Sequence, residues 1–302
     1  MRIAVLTAAF FLLTGLHAAD AAPRVKGGLS PVFGSNEYEG WNVYLGIGGD
    51  HFSIAPEVTT YQFKGSNGRY NSASVRAGYD MRWFGFGATA GRSFPRNGYS
   101  SVYGGGDFAF TLSPLGDEGI RRIGGTGRGG VPAGKGIARV DFGGGVKWTA
   151  HRQESATTSD AKLTQRELHG FVGASVLGAV LVSGRVSKFG YNADLRSAAT
   201  AVPGSFWTPL VGHMNSVNGF ADSSFHANAE IPVFPMIRPF ANYTYTKYAA
   251  LAATAPGDSR AYAAGVRVGL ELVAIEAAYQ HVSVTGSAAD QNFYTISAGL
   301  RL

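Results

Sequence analysis

The chain has 302 residues, 45% of them hydrophobic and only 15% charged, with no cysteine and a formal net charge of +6. So few charges argue against a charge-rich soluble domain, and without cysteine there is no disulfide scaffold, thiolate metal site or cysteine nucleophile. The 43 glycines follow no Gly-X-Y period, which excludes collagen, and the 26 basic residues are scattered, which argues against nucleic acid as a partner.

The N-terminus reads as an address. Met1 and Arg2 start it, residues 3–16 are apolar, and Ala19 and Ala21 put small residues where a signal peptidase reads, so residues 1–21 are expected to be a signal peptide. Residues 22–39 are expected to follow as a periplasmic segment. The longest later apolar stretch, 171–182, is too short to span a bilayer as a helix. An exported chain of this kind can still cross a membrane as a closed β-barrel, because closure satisfies every backbone group internally.

From residue 40 onward the chain alternates with period two. Strands are expected over 40–50, 70–81, 83–93, 99–112, 137–150, 165–177, 179–190, 217–231, 236–248, 260–272, 274–285 and 291–302. In 137–150, Val140, Phe142, Val146 and Trp148 share one face, opposite Arg139, Asp141, Lys147 and Thr149. A strand sorts such residues onto two faces, whereas a helix would scatter them. Connections near 82, 178, 232–235 and 273 are short; those at 51–69, 151–164, 191–216 and 249–259 are longer and polar or Gly/Ala/Pro-rich. That asymmetry, with strands near the spanning length, predicts an all-β, antiparallel, up-and-down transmembrane barrel. About twelve strands are expected over 40–302, with ten or fourteen left open. Residues 58–63 read as a strand extension above the membrane, and 113–136 as a Gly-rich insertion on the short-turn side.

Aromatic residues are expected at the membrane interfaces: Trp41, Tyr79 and Phe84 at the lower, and Trp148, Tyr243, Tyr245 and Tyr262 at the upper. The outward phase carries charge at Arg92, Arg166, Lys188, Lys247 and Arg260, all toward the long-loop end, with Arg82 at a lower turn. The inward phase carries Arg76, Arg139, Lys147, Arg185, Arg238, Arg267 and Arg301 against Asp50, Asp80, Asp107, Asp141, Glu167, Asp222, Glu230, Glu271 and Glu276. His169 and His226 share that lumen-lining phase, which is close to neutral in formal charge.

At the end of the chain Tyr294, Ile296, Ala298, Leu300 and Leu302 alternate to the last residue. This resembles the C-terminal strand of the bacterial outer-membrane β-barrel superfamily, although those chains usually end in Phe or Trp where Leu302 stands. The resemblance implies location in the cell outer membrane and handling by the barrel assembly machinery through the C-terminal strand. It also implies that the basic rim at Arg92, Arg166, Lys188, Lys247 and Arg260 lies among the phosphates of lipopolysaccharide, where Lys and Arg form charge-assisted hydrogen bonds.

Other motifs are weaker. Residues 129–136 approach a phosphate-binding loop, but Gly136 stands where Ser or Thr must hold magnesium and a strand follows. Gly85, Gly87 and Ala90 resemble a dinucleotide fingerprint, but strand alternation runs through them. Asp222, Ser224, His226 and Glu230 share a face and suggest a lipid hydrolase. However, Ser and His two residues apart on a strand lie roughly 7 Å from each other, too far for direct proton transfer. No enzyme activity, cofactor or metal site is expected. Segment 113–136, with Arg121, Arg122, Arg128 and Lys135 against Asp117 and Glu118, is read as touching peptidoglycan or a periplasmic partner, as folding into the barrel mouth, or as a solvated loop with no specific role. The expected function is passive passage of a small solute through a narrow lumen. The alternative is a closed barrel serving adhesion or surface organisation through loops 51–69 and 191–216.

Overall fold

The computed structural model describes residues 24–49, 51–64, 68–81, 83–96, 98–113, 138–154, 161–176, 180–192, 220–231, 236–249, 258–270, 272–285 and 290–301. These form fourteen strands. The first seven are β1 (Arg24–Gly34), β2 (Tyr38–Gly48), β3 (Phe52–Gln62), β4 (Tyr70–Asp80), β5 (Phe84–Arg96), β6 (Tyr99–Leu112) and β7 (Ala138–Gln153). The second seven are β8 (Ala161–Val176), β9 (Val180–Tyr191), β10 (Ala221–Glu230), β11 (Ile237–Tyr248), β12 (Asp258–Gly269), β13 (Val273–Val284) and β14 (Gln291–Arg301). Each strand pairs antiparallel with its neighbours in sequence, and β1 pairs with β14 from Lys26 opposite Arg301 to Gly34 opposite Phe293, so the sheet closes.

Two strands lie where the alternation predicts none. β1 occupies the expected periplasmic segment, and β3 fills the expected upper loop 51–69, of which only 58–63 reads as extended. Each contains a proline, Pro31 and Pro56. Proline offers no ladder donor, yet both strands keep their place in the sheet. The carbonyl of Pro31 accepts a hydrogen bond from Thr295 Oγ1 at 2.8 Å across the closing seam. Adding both strands keeps the count even but reverses the direction expected for β2. Trp41 therefore sits at the end of the barrel away from the chain termini, and not at the lower interface.

The hairpin joining β1 to β2 is tight. Asn36 and Glu37 both have positive φ, 59° and 54°, and Tyr38 N donates to the Ser35 carbonyl at 3.3 Å. Two left-handed central residues closed by such a bond make a type I′ turn, whose twist matches that of the flanking strands.

The polarity of the barrel is inverted relative to a soluble protein. Val102, Leu168, Val172, Val186, Tyr294 and Ile296 are exposed on the outside, while Asn42, Thr111, Arg139, Asp141, Ser175 and Glu230 are buried on the inside. Water would penalise that arrangement, whereas hydrocarbon favours it. Aromatic clusters gird both ends. Tyr79, Phe86, Phe84, Phe110 and Phe142 form a chain of ring contacts near the terminus end of β4 to β7. At the opposite, far end Phe33 meets Trp41, while the Tyr243–Tyr262 pair lies at mid-height on the outer wall. Rings at the two headgroup levels suit a membrane-spanning wall. Leu112 and Ala138, which flank segment 114–137, both lie at the terminus end. That segment, including Arg121, Arg122, Arg128 and Lys135, lies outside the described residues. So do the leader and Arg82.

Candidate functional site in the barrel lumen

The period-two alternation puts a belt of charged residues on the inner wall at mid-height, from β4 to β10. Arg76 of β4 donates through Nη2 to both Asp107 oxygens of β6, at 2.8 and 2.6 Å, and through Nη1 to Thr89 of β5 at 2.9 Å. It reaches across β5 over Gly87, where a Cβ would come within 2.8 Å of Nη2 and 3.1 Å of the Asp107 carboxylate. Glycine there lets the pair lie against the wall.

Farther round the belt, Glu167 of β8 gathers several donors. Arg185 Nη2 of β9 donates to it at 2.6 Å and Ser187 Oγ at 3.0 Å, while His169 Nδ1 lies 3.8 Å away. Lys147 of β7 places its ammonium 4.3 Å from the centre of the Tyr103 ring. His226 of β10 shares a hydrogen bond of 3.0 Å with Thr244 of β11.

Two ion clusters occupy the terminus end. Arg139 Nε donates to both oxygens of Asp141, at 3.2 and 3.1 Å, and Thr111 Oγ1 donates to the same carboxylate at 2.5 Å. Arg139 and Asp141 are fully buried, so the pair is shielded on all sides. In the second cluster Arg267 of β12 donates to Glu230 of β10 at 2.5 Å and to Glu276 of β13 at 2.6 Å, with its guanidinium 4.2 Å from the Phe240 ring centre. Arg238 of β11 approaches Glu230 at 3.8 Å. Charges removed from bulk water in this way must be paired and hydrogen-bonded to be tolerated.

The far end of the lumen is aromatic. Tyr38 stacks on Tyr61 and meets the edge of Phe293, while Tyr61 and Phe63 stack on Tyr70. On the opposite arc Tyr99 shares a hydrogen bond with His151 at 2.9 Å, and His151 packs edge-on against the buried Phe220. Neither arc stands out in the sequence, because an inward Tyr is a period-two residue like any other until its strand is placed. Asn42, Glu57 and Thr59 were also missed. Asn42 donates to Glu57 and, at 2.8 Å, to Thr59, a contact that needs β3 to exist as a strand.

Among the lumen residues expected from sequence, Arg76, Arg139, Asp141, Lys147, Glu167, His169, Arg185, His226, Glu230, Arg267 and Glu276 fall on the inner phase in the contacts above. Asp80 takes the same phase at the terminus end of β4. Glu271 lies outside the described residues, as does the side chain of Arg301. Asp222 differs from expectation. The register of β10 slips between Ala221 and Ser223, and the resulting bulge turns Asp222 to Lys188 on the outer face, with both its oxygens 2.8 Å from the ammonium. A bulge adds one residue and so breaks the phase that alternation assumes.

Arg92, Arg166, Lys188, Lys247 and Arg260 are all exposed near the far end of their strands. Arg92 lies 5.0 Å from the centre of the Phe94 ring and Arg166 6.0 Å from that of Trp148. Arg260 approaches Asp258 at 3.9 Å.

No known protein family matches this chain, and no curated protein matches it in sequence. Among solved structures it is similar to the NanC porin, at 12% identity and a TM-score of 0.42 over 93% of this chain and 100% of that one. It is also similar to outer-membrane expressed OmpT of Vibrio cholerae, at 13% and 0.44 over 94% and 99% of the two chains. A third similar structure is OccAB4 of Acinetobacter baumannii, at 9% and 0.45 over 93% and 98%. At these identities and TM-scores nothing about the cargo of this chain follows from the likeness.

Proposed function

We propose that this protein is a bacterial outer-membrane barrel of fourteen strands whose lumen passes small solutes by diffusion. One observation carries the reading. Arg185 sits at the middle of β9 on the inner face, and 42% of its side chain is accessible. A lumen filled by side chains would cover a mid-strand guanidinium, and this one borders open space at the centre of the barrel. Fourteen strands also give a wider bore than twelve, since diameter grows roughly in step with strand number. The test is conductance of the purified, folded protein in planar bilayers. Discrete conductance steps are expected; none, from protein with retained heat-modifiable gel mobility, rejects the passage.

A closed structural barrel is the second reading, favoured by the near-complete burial of Tyr38, Phe293 and Phe220 at the far mouth. With β3 occupying residues 52–62, surface adhesion would fall to residues 191–216 and not to 51–69. Tyr38→Ala separates the two, because it raises conductance if the aromatic arc only narrows an existing passage.

The partners that suit this reading are outer-leaflet phosphates at the basic far rim, the barrel assembly machinery at β14, and a periplasmic contact through segment 113–136. The lumen is read as a passage, with no catalytic residue assigned.

A further inference from the structure

Counted by formal charge, the lumen has no preference between anions and cations. Accessibility says otherwise. In the mid-height belt Arg185 is 42% accessible against 14% for its partner Glu167, and Arg76 is 23% accessible against 10% for Asp107. At the terminus end Arg238 and Arg267 are 29% and 27% accessible, while Glu230, which they share, is 1% and Glu276 is 30%. The Arg139–Asp141 pair is closed off on both sides and presents neither sign.

The asymmetry has a simple cause. Asp and Glu are short and lie close to the wall, whereas Arg carries its guanidinium on a longer stem and lays it over the carboxylate. The Arg185–Glu167 and Arg76–Asp107 pairs, and the two arginines over Glu230, are then dipoles with the positive end toward the water, while Arg267 and Glu276 are equally open. Beside a low-dielectric barrel wall such fixed dipoles are screened less than in bulk water and concentrate counter-ions.

From this we infer that the passage is anion-selective, and that its preferred cargo is small anions, organic carboxylates above all. Carboxylates fit because a guanidinium offers five N–H donors in a fork matched to two oxygens. Among the described residues Arg185 directs Nη2 to Glu167 and Nε to Ser187 at 3.4 Å. These contacts engage two of its three nitrogens, and 42% of the side chain stays accessible. His226, opposite Arg185 on the neighbouring strand, adds a neutral donor or acceptor to the same stretch of wall. The inference rests on the passage reading above.

The test is the reversal potential of single channels across a potassium chloride gradient, followed by the same measurement with sodium acetate. Wild-type protein is expected to pass chloride several-fold better than potassium, and acetate better than sodium. Arg76→Ala with Arg185→Ala should bring the ratio toward unity, and Glu167→Gln should keep or raise it. Channels that show no selectivity, or prefer cations, overturn the inference while leaving the passage intact. Wild-type selectivity that the double arginine variant leaves unchanged overturns the role of the belt. Folded protein without conductance overturns the passage and this inference together. The sign for the wild-type protein decides the central claim even if a variant fails to assemble.

Discussion

Lys188 of β9 holds Asp222 of β10 through both carboxylate oxygens at 2.8 Å, on the outer face of the barrel. The bulge at Ala221 and Ser223 makes this possible, and it leaves Lys188 as a rim cation already paired with an acid. Arg166, by contrast, lies beside Trp148. Arg166→Ala is therefore expected to weaken binding of lipopolysaccharide to the purified barrel, in a salt-dependent way. Lys188→Ala should weaken it less, and Asp222→Ala should strengthen it. Because the Lys188–Asp222 pair is exposed, its loss should change stability by no more than about 1 kcal/mol. Equal losses from Arg166→Ala and Lys188→Ala would contradict this ordering.

The β1–β2 turn holds Glu37 at φ 54°. Left-handed backbone costs a residue with a Cβ roughly 1–2 kcal/mol, and the type I′ turn favours glycine at this second central position. Glu37→Gly also removes the Lys64 ion pair of 2.9 Å, in which both side chains are largely exposed. Such a pair contributes little. The net expectation is a gain of about 0.5–1 kcal/mol, read as a higher urea midpoint in detergent. A lower midpoint would show that the ion pair outweighs the turn.

Gly143 of β7 has no room for a methyl group. A Cβ there would run into the Phe108 carbonyl and lie 2.8 Å from the Phe171 ring. Gly104 on β6 has its nearest atom at 3.8 Å. Gly143→Ala should cost about 1–3 kcal/mol through forced displacement of β6 and Phe171, while Gly104→Ala should be close to neutral. The fraction of folded, fast-migrating barrel on unheated gels compares the two directly. Equal behaviour would rule out the close approach of β6 and β7.

Glu230 is almost fully buried and joins Arg267, which also binds Glu276, to the cluster that includes Arg238. Glu230→Gln keeps the shape and removes the charge, leaving two arginines with one carboxylate. A loss of about 1–3 kcal/mol is expected from the weakened charge-assisted bond. Thermal unfolding of the two proteins in the same detergent gives the comparison. Glu276→Gln should cost less, because Glu276 is partly solvated. The reverse order would place the anchor of this cluster at Glu276.

The alternation of Val140, Phe142 and Trp148 against Arg139, Asp141 and Lys147 was enough to identify an inverted barrel wall. The reason is local: the period-two pattern belongs to one strand and needs no partner. It fails where the strand itself is irregular. The alternation missed β1 and most of β3, and with them the full strand number, the direction of β2 and the Asn42–Glu57 contact. The bulge before Ser223 moved Asp222 to the other face.

Composition and alternation by themselves determined a β-barrel with an apolar outer wall and a polar interior close to neutral in formal charge. Only the tertiary structure decided where the sheet closes, which Arg meets which carboxylate, and which member of each pair faces the water. Those features depend on the register between strands far apart in sequence and on the unequal lengths of the side chains laid over one another. A count of charges along the chain contains neither.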